Sequence, residues 1–207
     1  MLIESVACCV NAIDRAAIRC GERIALVGCG FMGSILLQGL LLTPARAVAA
    51  FDVRPELLEK AAAFGKPYEK QGLLSTHDPS ALGAGLKEFE GAFDAVIETA
   101  ATEAGFRLAD RLVKKDGRLI VFSWHHHVFP VDLGSWHVRG LSVLNVSPAA
   151  HSRFDECFHQ SISLLEKQRI DLKPLVTHVA PPENAQGLYE KGLRKTGGYI
   201  KGAIRWS

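Results

Sequence analysis

Residues 24–37 read Ile-Ala-Leu-Val-Gly-Cys-Gly-Phe-Met-Gly-Ser-Ile-Leu-Leu, an apolar run, a glycine-rich turn and the start of an apolar helix. Gly28, Gly30 and Gly33 fit the pattern G-x-G-x-x-G, and each has a separate duty. Gly28 makes the tight turn, Gly30 lets the backbone approach a pyrophosphate, and Gly33 lets helix pack closely on strand. The amides that open the helix, at Phe31 and Met32, then point at phosphate, aided by the positive end of the helix dipole. A second apolar run, Ala47 to Phe51, ends at Asp52, nineteen residues beyond Gly33. A ribose-binding carboxylate stands at about that distance. Strand, turn, helix, second strand and acid in register predict a dinucleotide site; the alternative is a turn that serves packing alone.

The rest of the chain continues the alternation. Strands are expected at Arg23–Val27, at the run ending with Asp52, as a short segment near Tyr68, at Phe93–Thr99, at Gly117–Phe122 and at Leu141–Val146. Between them, helices are expected over 5–17, from the glycine turn to about Leu42, over 55–65, around 79–89, over 103–113 and over 151–167. Pro55 first and Gly65 last is the expected asymmetry of a helix, and Phe154, Phe158, Ile162 and Leu165 share one stripe of the last one. This order predicts an α/β fold, a Rossmann-type doubly wound parallel sheet of about six strands with helices on both faces. Ligands of such sheets lie beyond the carboxyl ends of the strands, where the strand order reverses.

Composition narrows the function classes. The 207 residues are 48% hydrophobic and 22% charged, with a net charge of +2, which gives no basic stripe for nucleic acid. The five cysteines (Cys8, Cys9, Cys20, Cys29 and Cys157) are scattered, with no C-x-x-C pair, and suit a reducing cytoplasm rather than a disulfide framework. Cys8, Cys9 and Cys29 read as small packing residues. The uncharged run from Ile24 to Ala45 is long enough to imitate a membrane span. Its glycines, Ser34, Gln38 and Pro44 argue against one, and Met-Leu-Ile-Glu lacks the basic start of a signal peptide. The expectation is a cytoplasmic protein without a membrane partner.

Several stretches together resemble the medium-chain dehydrogenase/reductase family, the zinc-type alcohol and polyol dehydrogenases. Residues 2–12 look like the helix that joins that family's two domains. Asp52-Val53-Arg54-Pro55-Glu56-Leu57 and the following Phe64-Gly65 resemble its ribose-binding turn and next helix. Phe93–Glu98 and Asp116–Phe122 are similar to its fourth and fifth strands, and 170–178 and Gly197–Lys201 to its C-terminal segment. The resemblance runs in order over nearly the whole chain. It implies a linking helix and NAD(P)-binding domain over 1–172, and a segment, 173–207, that in the family returns to a catalytic domain. The counterpart of that catalytic domain would precede residue 4 and is expected to be missing from this chain.

The resemblance also implies roles. Gly28, Gly30, Phe31, Met32 and Gly33 would hold the pyrophosphate, with Lys201 as a basic contact. Asp52, followed by Val53, would bind the adenosine ribose and favour NAD(H) over NADP(H); Arg54 would lie along the adenine or in solvent, the alternative being that it accepts a 2′-phosphate. Thr99, Ala100, Ser123 and Trp124 would lie on the nicotinamide side, Trp124 being large enough to cap or obstruct the pocket. Glu4 stands where polyol-type members place one zinc ligand. A catalytic zinc needs about three protein ligands, and the residues that would complete this set have no counterpart, so a capping or solvated Glu4 is expected and zinc is not expected to be held by this chain alone. His125-His126-His127 could form a metal site or proton relay with His137 or His178, or present surface imidazoles; three consecutive side chains cannot all face one way.

The function implied is hydride transfer between NAD(H) and a small alcohol or carbonyl. The alternatives are a non-enzymatic NAD(H)-binding module or partner subunit, and a zinc-independent enzyme that uses the histidine loop. A homodimer through 141–146, or a partner chain that supplies a catalytic domain, is implied by resemblance.

Overall fold

The computed structural model describes residues 2–206. Six strands form one sheet: β1 (Arg23–Val27), β2 (Ala47–Phe51), β3 (Leu74–His77), β4 (Phe93–Glu98), β5 (Val113–Val121) and β6 (Ser142–Asn145). Their order is β3-β2-β1-β4-β5-β6, and every neighbouring pair is parallel. The chain thus starts in the middle of the sheet, winds outward through β3, then crosses to β4 and winds the other way. The order reverses between β1 and β4.

The helices are α1 (Ile3–Ala16), α2 (Phe31–Leu40), α3 (Pro55–Gly65), α4 (Pro79–Leu82), α5 (Glu103–Leu112), α6 (Leu133–Arg139), α7 (Phe154–Glu166) and α8 (Ala185–Arg194). Strand residues alternate between two cores, as their period of two requires. Ile24, Leu26, Val48, Ala50, Ala95 and Ile97 meet α1, α2, α3 and α7 on one face. Ala25, Val27, Phe51, Val96 and Leu119 meet α5 and α6 on the other. With both faces covered, β1 has no polar side, which is why it reads as a continuous apolar run.

Two expectations are corrected. Tyr68 lies in a 3-10 segment, Lys66–Gln71, and the third strand lies further on, at Leu74–His77. Gly65 ends α3 where a Cβ would press on the Leu74 side chain, at 2.6 Å from its Cδ2. The turn is needed to carry the chain from that close contact to the sheet edge. The helix expected around 79–89 is broken: α4 stops at Leu82 and a 3-10 segment, Gly83–Phe89, follows. Gly83 at φ +52 and ψ −121 interrupts the helix. Helix α6 was not expected from sequence; Asp132 caps it through Ser135 N, and Gly140 ends it in the left-handed region. No helix among the described residues is long and apolar enough to cross a membrane.

Residues after α7 form a small two-stranded parallel sheet, β7 (Val176–Ala180) and β8 (Lys201–Ile204), joined through α8. Leu172, buried Leu175 and Ile200 pack on the first core, and Lys60 Nζ donates to Pro174 O at 2.8 Å. The segment therefore folds back on the sheet domain.

One ion pair ties the ends of several elements together. Arg118 in β5 donates through Nη1 and Nη2 to the two carboxylate oxygens of Glu22, at 3.0 and 2.6 Å, and through Nε to Ala16 O at 2.9 Å. Burial acts to raise the Glu22 pKa, but the Arg118 fork and the Arg19 amide outweigh it and hold the carboxyl below its ordinary value. A depressed folded-state pKa adds stability that is present above the unfolded carboxylate range and lost as pH falls through the folded value. Arg118→Ala is expected to cost about 2 kcal/mol at neutral pH. Urea unfolding at pH 7 and at pH 3 should show the gap from the native chain narrowing in acid, and an unchanged gap would contradict this account.

Candidate functional site

The turn between β1 and α2 sits at the reversal of strand order, and its geometry is held from three sides. Gly28 has φ +102, and a Cβ there would come within 2.7 Å of Thr99 Oγ1 and 2.8 Å of Ala100 N. Thr99 Oγ1 in turn donates to Gly28 O at 2.7 Å, tying the loop after β4 to the glycine turn. A Cβ on Gly33 would overlap the carbonyl of Gly28, so the first turn of α2 can approach β1 only without a side chain there. Gly30 is the N-cap residue of α2 and no side chain caps that helix. Its opening amides are therefore left for an acceptor from outside, at the positive end of the helix.

Asp52 follows β2 and faces this turn. Its Oδ2 accepts from Cys29 N at 2.7 Å and its Oδ1 from Arg54 N at 2.9 Å, so both oxygens are oriented by backbone. Arg54 leans back over the acid, with Nε 3.7 Å from Oδ1. Burial, then the charge of Asp52, pushes the Cys29 thiol up to about 12, so this cysteine is an inert packing group. Lys201 in β8 reaches the start of α2, with Nζ 4.9 Å from the centre of the Phe31 ring.

Two clefts flank the turn. One of about 410 Å³ is lined by Gly28, Asp52, Val53, Ser80, Ala100 and Thr102. The other, about 270 Å³, is lined by Gly30, Met32, Arg54, Thr99, Ala101 and Tyr199 among others. Together they run across the carboxyl ends of β2, β1 and β4. The structure thus gathers Gly28, Gly30, Phe31, Met32, Gly33, Asp52, Val53, Arg54, Thr99, Ala100 and Lys201 around one turn. Trp124 lines neither cleft; it is 80% exposed and stacks on His126, their ring centres 5.1 Å apart. It neither caps nor obstructs them.

The feature that sequence reasoning passed over is Glu98, the last residue of β4, which is fully buried. Its Oε1 accepts from Ala100 N at 2.7 Å, from Ala101 N at 2.9 Å and from Ser123 Oγ at 3.3 Å. Its Oε2 lies 2.9 Å from His125 Nε2. The histidine run therefore splits: His126 and His127 are exposed, and His125 turns inward onto the acid. Its partner is Glu98, and neither His137 nor His178 bonds to it. The available signal was a carboxylate closing the apolar run Ala95-Val96-Ile97, since an unpaired charge is seldom buried.

Glu4 is exposed and accepts from Cys8 Sγ at 3.2 Å. Burial, then that bond to Glu4, pushes the Cys8 thiol up to about 12. Among the described residues no group of three His, Cys, Asp or Glu side chains could hold a metal ion.

A six-stranded parallel sheet in this order, with a glycine turn at the reversal and an acid at the end of the second strand, defines a Rossmann-type doubly wound fold. No protein-family profile matches the chain. It is 24% identical over 197 residues to sorbitol dehydrogenase of Gallus gallus, covering 95% of this chain and 54% of that protein. It is 28% identical over 176 residues to L-threonine 3-dehydrogenase of Bacillus licheniformis, covering 84% of this chain and 47% of that protein. A solved oxidoreductase/dehydrogenase of unknown specificity from Escherichia coli superposes with a TM-score of 0.82 at 23% identity, over 100% of this chain and 57% of that one. A zinc-binding dehydrogenase structure from Sinorhizobium meliloti, bound to NADP, superposes with a TM-score of 0.80 at 21% identity, over 97% and 57%. The chain's homologues are sorbitol, zinc-type alcohol and threonine dehydrogenases, which are medium-chain dehydrogenases/reductases. The chain spans about half the length of the curated relatives it matches.

Proposed function

We propose that this chain is the nicotinamide-dinucleotide-binding part of an alcohol or polyol dehydrogenase-like oxidoreductase, with NAD(H) preferred over NADP(H). The observation that carries the reading is Asp52, fixed by the amides of Cys29 and Arg54 beside the uncapped start of α2. Room for the cofactor is supported by the glycines, whose missing side chains open the approach to the helix amides.

In this reading the amides of Phe31 and Met32 donate to the pyrophosphate, and Lys201 adds positive charge beside them. The remaining lone pairs of Asp52 accept from the adenosine-ribose hydroxyls, and its charge opposes a 2′-phosphate. Arg54 is engaged with Asp52, which leaves it poorly placed to welcome that phosphate. Thr99 and Ala100 wall the passage toward the nicotinamide, whose bound form gives or takes hydride at the reacting carbon of an alcohol or carbonyl. The zinc of zinc-type relatives does not fit the described residues, which offer Glu4 beside a protonated Cys8 and no third donor.

Calorimetric titration of the chain with NADH and with NADPH tests the reading. One saturable site with NADH the tighter ligand is expected. Absence of binding by both would refute the site, and tighter NADPH would refute the assigned preference.

A further inference from the structure

We propose that the Glu98–His125 pair is a positioning device for the nicotinamide half of the dinucleotide, with His125 as the residue that pins the loop after β5 to the loop after β4. The inference rests on the cofactor site proposed above and adds two residues to it.

Three observations converge on Glu98. Its carboxylate is fully buried at the carboxyl end of β4, next to the strand reversal. It accepts from both Ala100 N and Ala101 N, and Ala101 is held at φ +55, a left-handed conformation that an alanine adopts only under constraint. Ala101 N also donates to Ser123 Oγ at 3.0 Å, so the strained residue is held from β4 and from the loop after β5 at once. Thr99, Ala100 and Ala101 line the cleft beside the glycine turn. The carboxylate therefore sets the shape of a cleft wall from behind, without entering the cleft.

His125 completes this carboxylate. Between Val121 and α6 the chain has no regular structure, and Trp124, His126, His127 and Val128 are exposed. His125 is the inward-facing member: its side chain is 14% exposed, with Nε2 on Glu98 Oε2. The ring also meets Phe106 and Phe129 edge-on, at centroid distances of 5.7 and 5.2 Å. With Glu98 Oε2 as the acceptor, Nε2 carries the proton of this bond, and the ring is held in one orientation. Glu98 thus couples the loop after β4, which lines the cleft, to the loop after β5 behind it, while Asp52 and the glycine turn hold the near end.

The split between the two ends gives the test. ADP-ribose fills the near end alone and NADH fills both. His125→Phe keeps an aromatic ring against Phe106 and Phe129 but removes the bond to Glu98. It is expected to weaken NADH about tenfold, the size of one lost charge-assisted hydrogen bond, and to leave ADP-ribose affinity unchanged. His125→Gln, whose amide can donate to Glu98, is expected to recover most of the loss. In imidazole nitrogen NMR spectra of the native chain, His125 should show the Nε2–H tautomer. Glu98→Gln can keep Ala100 and Ala101 on its carbonyl oxygen and turn its amide toward the ring, which should move His125 to the Nδ1–H tautomer. Equal loss of NADH and ADP-ribose in His125→Phe, or no loss of either, overturns the positioning role while leaving the cofactor site intact. A native chain that binds neither ligand overturns the cofactor site and this proposal with it.

Discussion

Gly33→Ala is expected to abolish dinucleotide binding and to destabilise the chain by about 3 kcal/mol, at the upper end of the usual cost of overpacking. The added Cβ would overlap the carbonyl oxygen of Gly28, a backbone atom in a strand end that cannot rotate away. Gly28 itself is bound on both sides, through N to Phe51 O at 2.8 Å and through O to Thr99 Oγ1 at 2.7 Å. Relief requires α2 to back off β1, which opens the packing of fully buried Ile35, Leu36 and Leu37. Urea unfolding measures the stability term and NADH titration the site. A Gly33→Ala chain with native stability and native affinity would show that the close approach of helix and strand has no consequence.

Asp52→Ala carries the second large effect, on affinity rather than on folding. It removes the acceptor for Cys29 N and Arg54 N, at 2.7 and 2.9 Å, and the charge that is proposed to select the unphosphorylated ribose. Each hydrogen bond to a charged group contributes about 1.5–3 kcal/mol. NADH affinity is therefore expected to fall by about 10- to 100-fold. NADPH should fall less, because the repulsion of its 2′-phosphate disappears with the acid and Arg54 is released from it. Parallel titrations of both cofactors against the native chain and the variant check this. Equal losses for NADH and NADPH would mean that Asp52 organises the turn without reading the ribose.

The sheet was legible because its central strands are buried on both faces and its turns carry glycine and proline. β1 matches its expected bounds, and α3 starts at Pro55 and ends at Gly65. What was hidden lacks such signals. β3 is an edge strand whose residues are only partly buried, so no apolar run marks it. Helix α6 leaves Leu133 and Val138 exposed and so shows no apolar stripe, although Asp132 and Gly140 do mark its two ends. The near end of the candidate site could be read from sequence because backbone geometry demands glycine at Gly28 and Gly33. The far end could not, since Glu98 and His125 are 27 positions apart and only the pairing of β4 with β5 brings them together.

The most direct measurement is an amide NMR titration of the assigned chain with NADH. A dinucleotide site at the strand reversal predicts saturable shifts that include three groups: Cys29 to Ser34, Asp52 to Arg54, and Thr99 to Ala101. Saturable shifts elsewhere with these three groups unmoved, or no shifts at all, would contradict it.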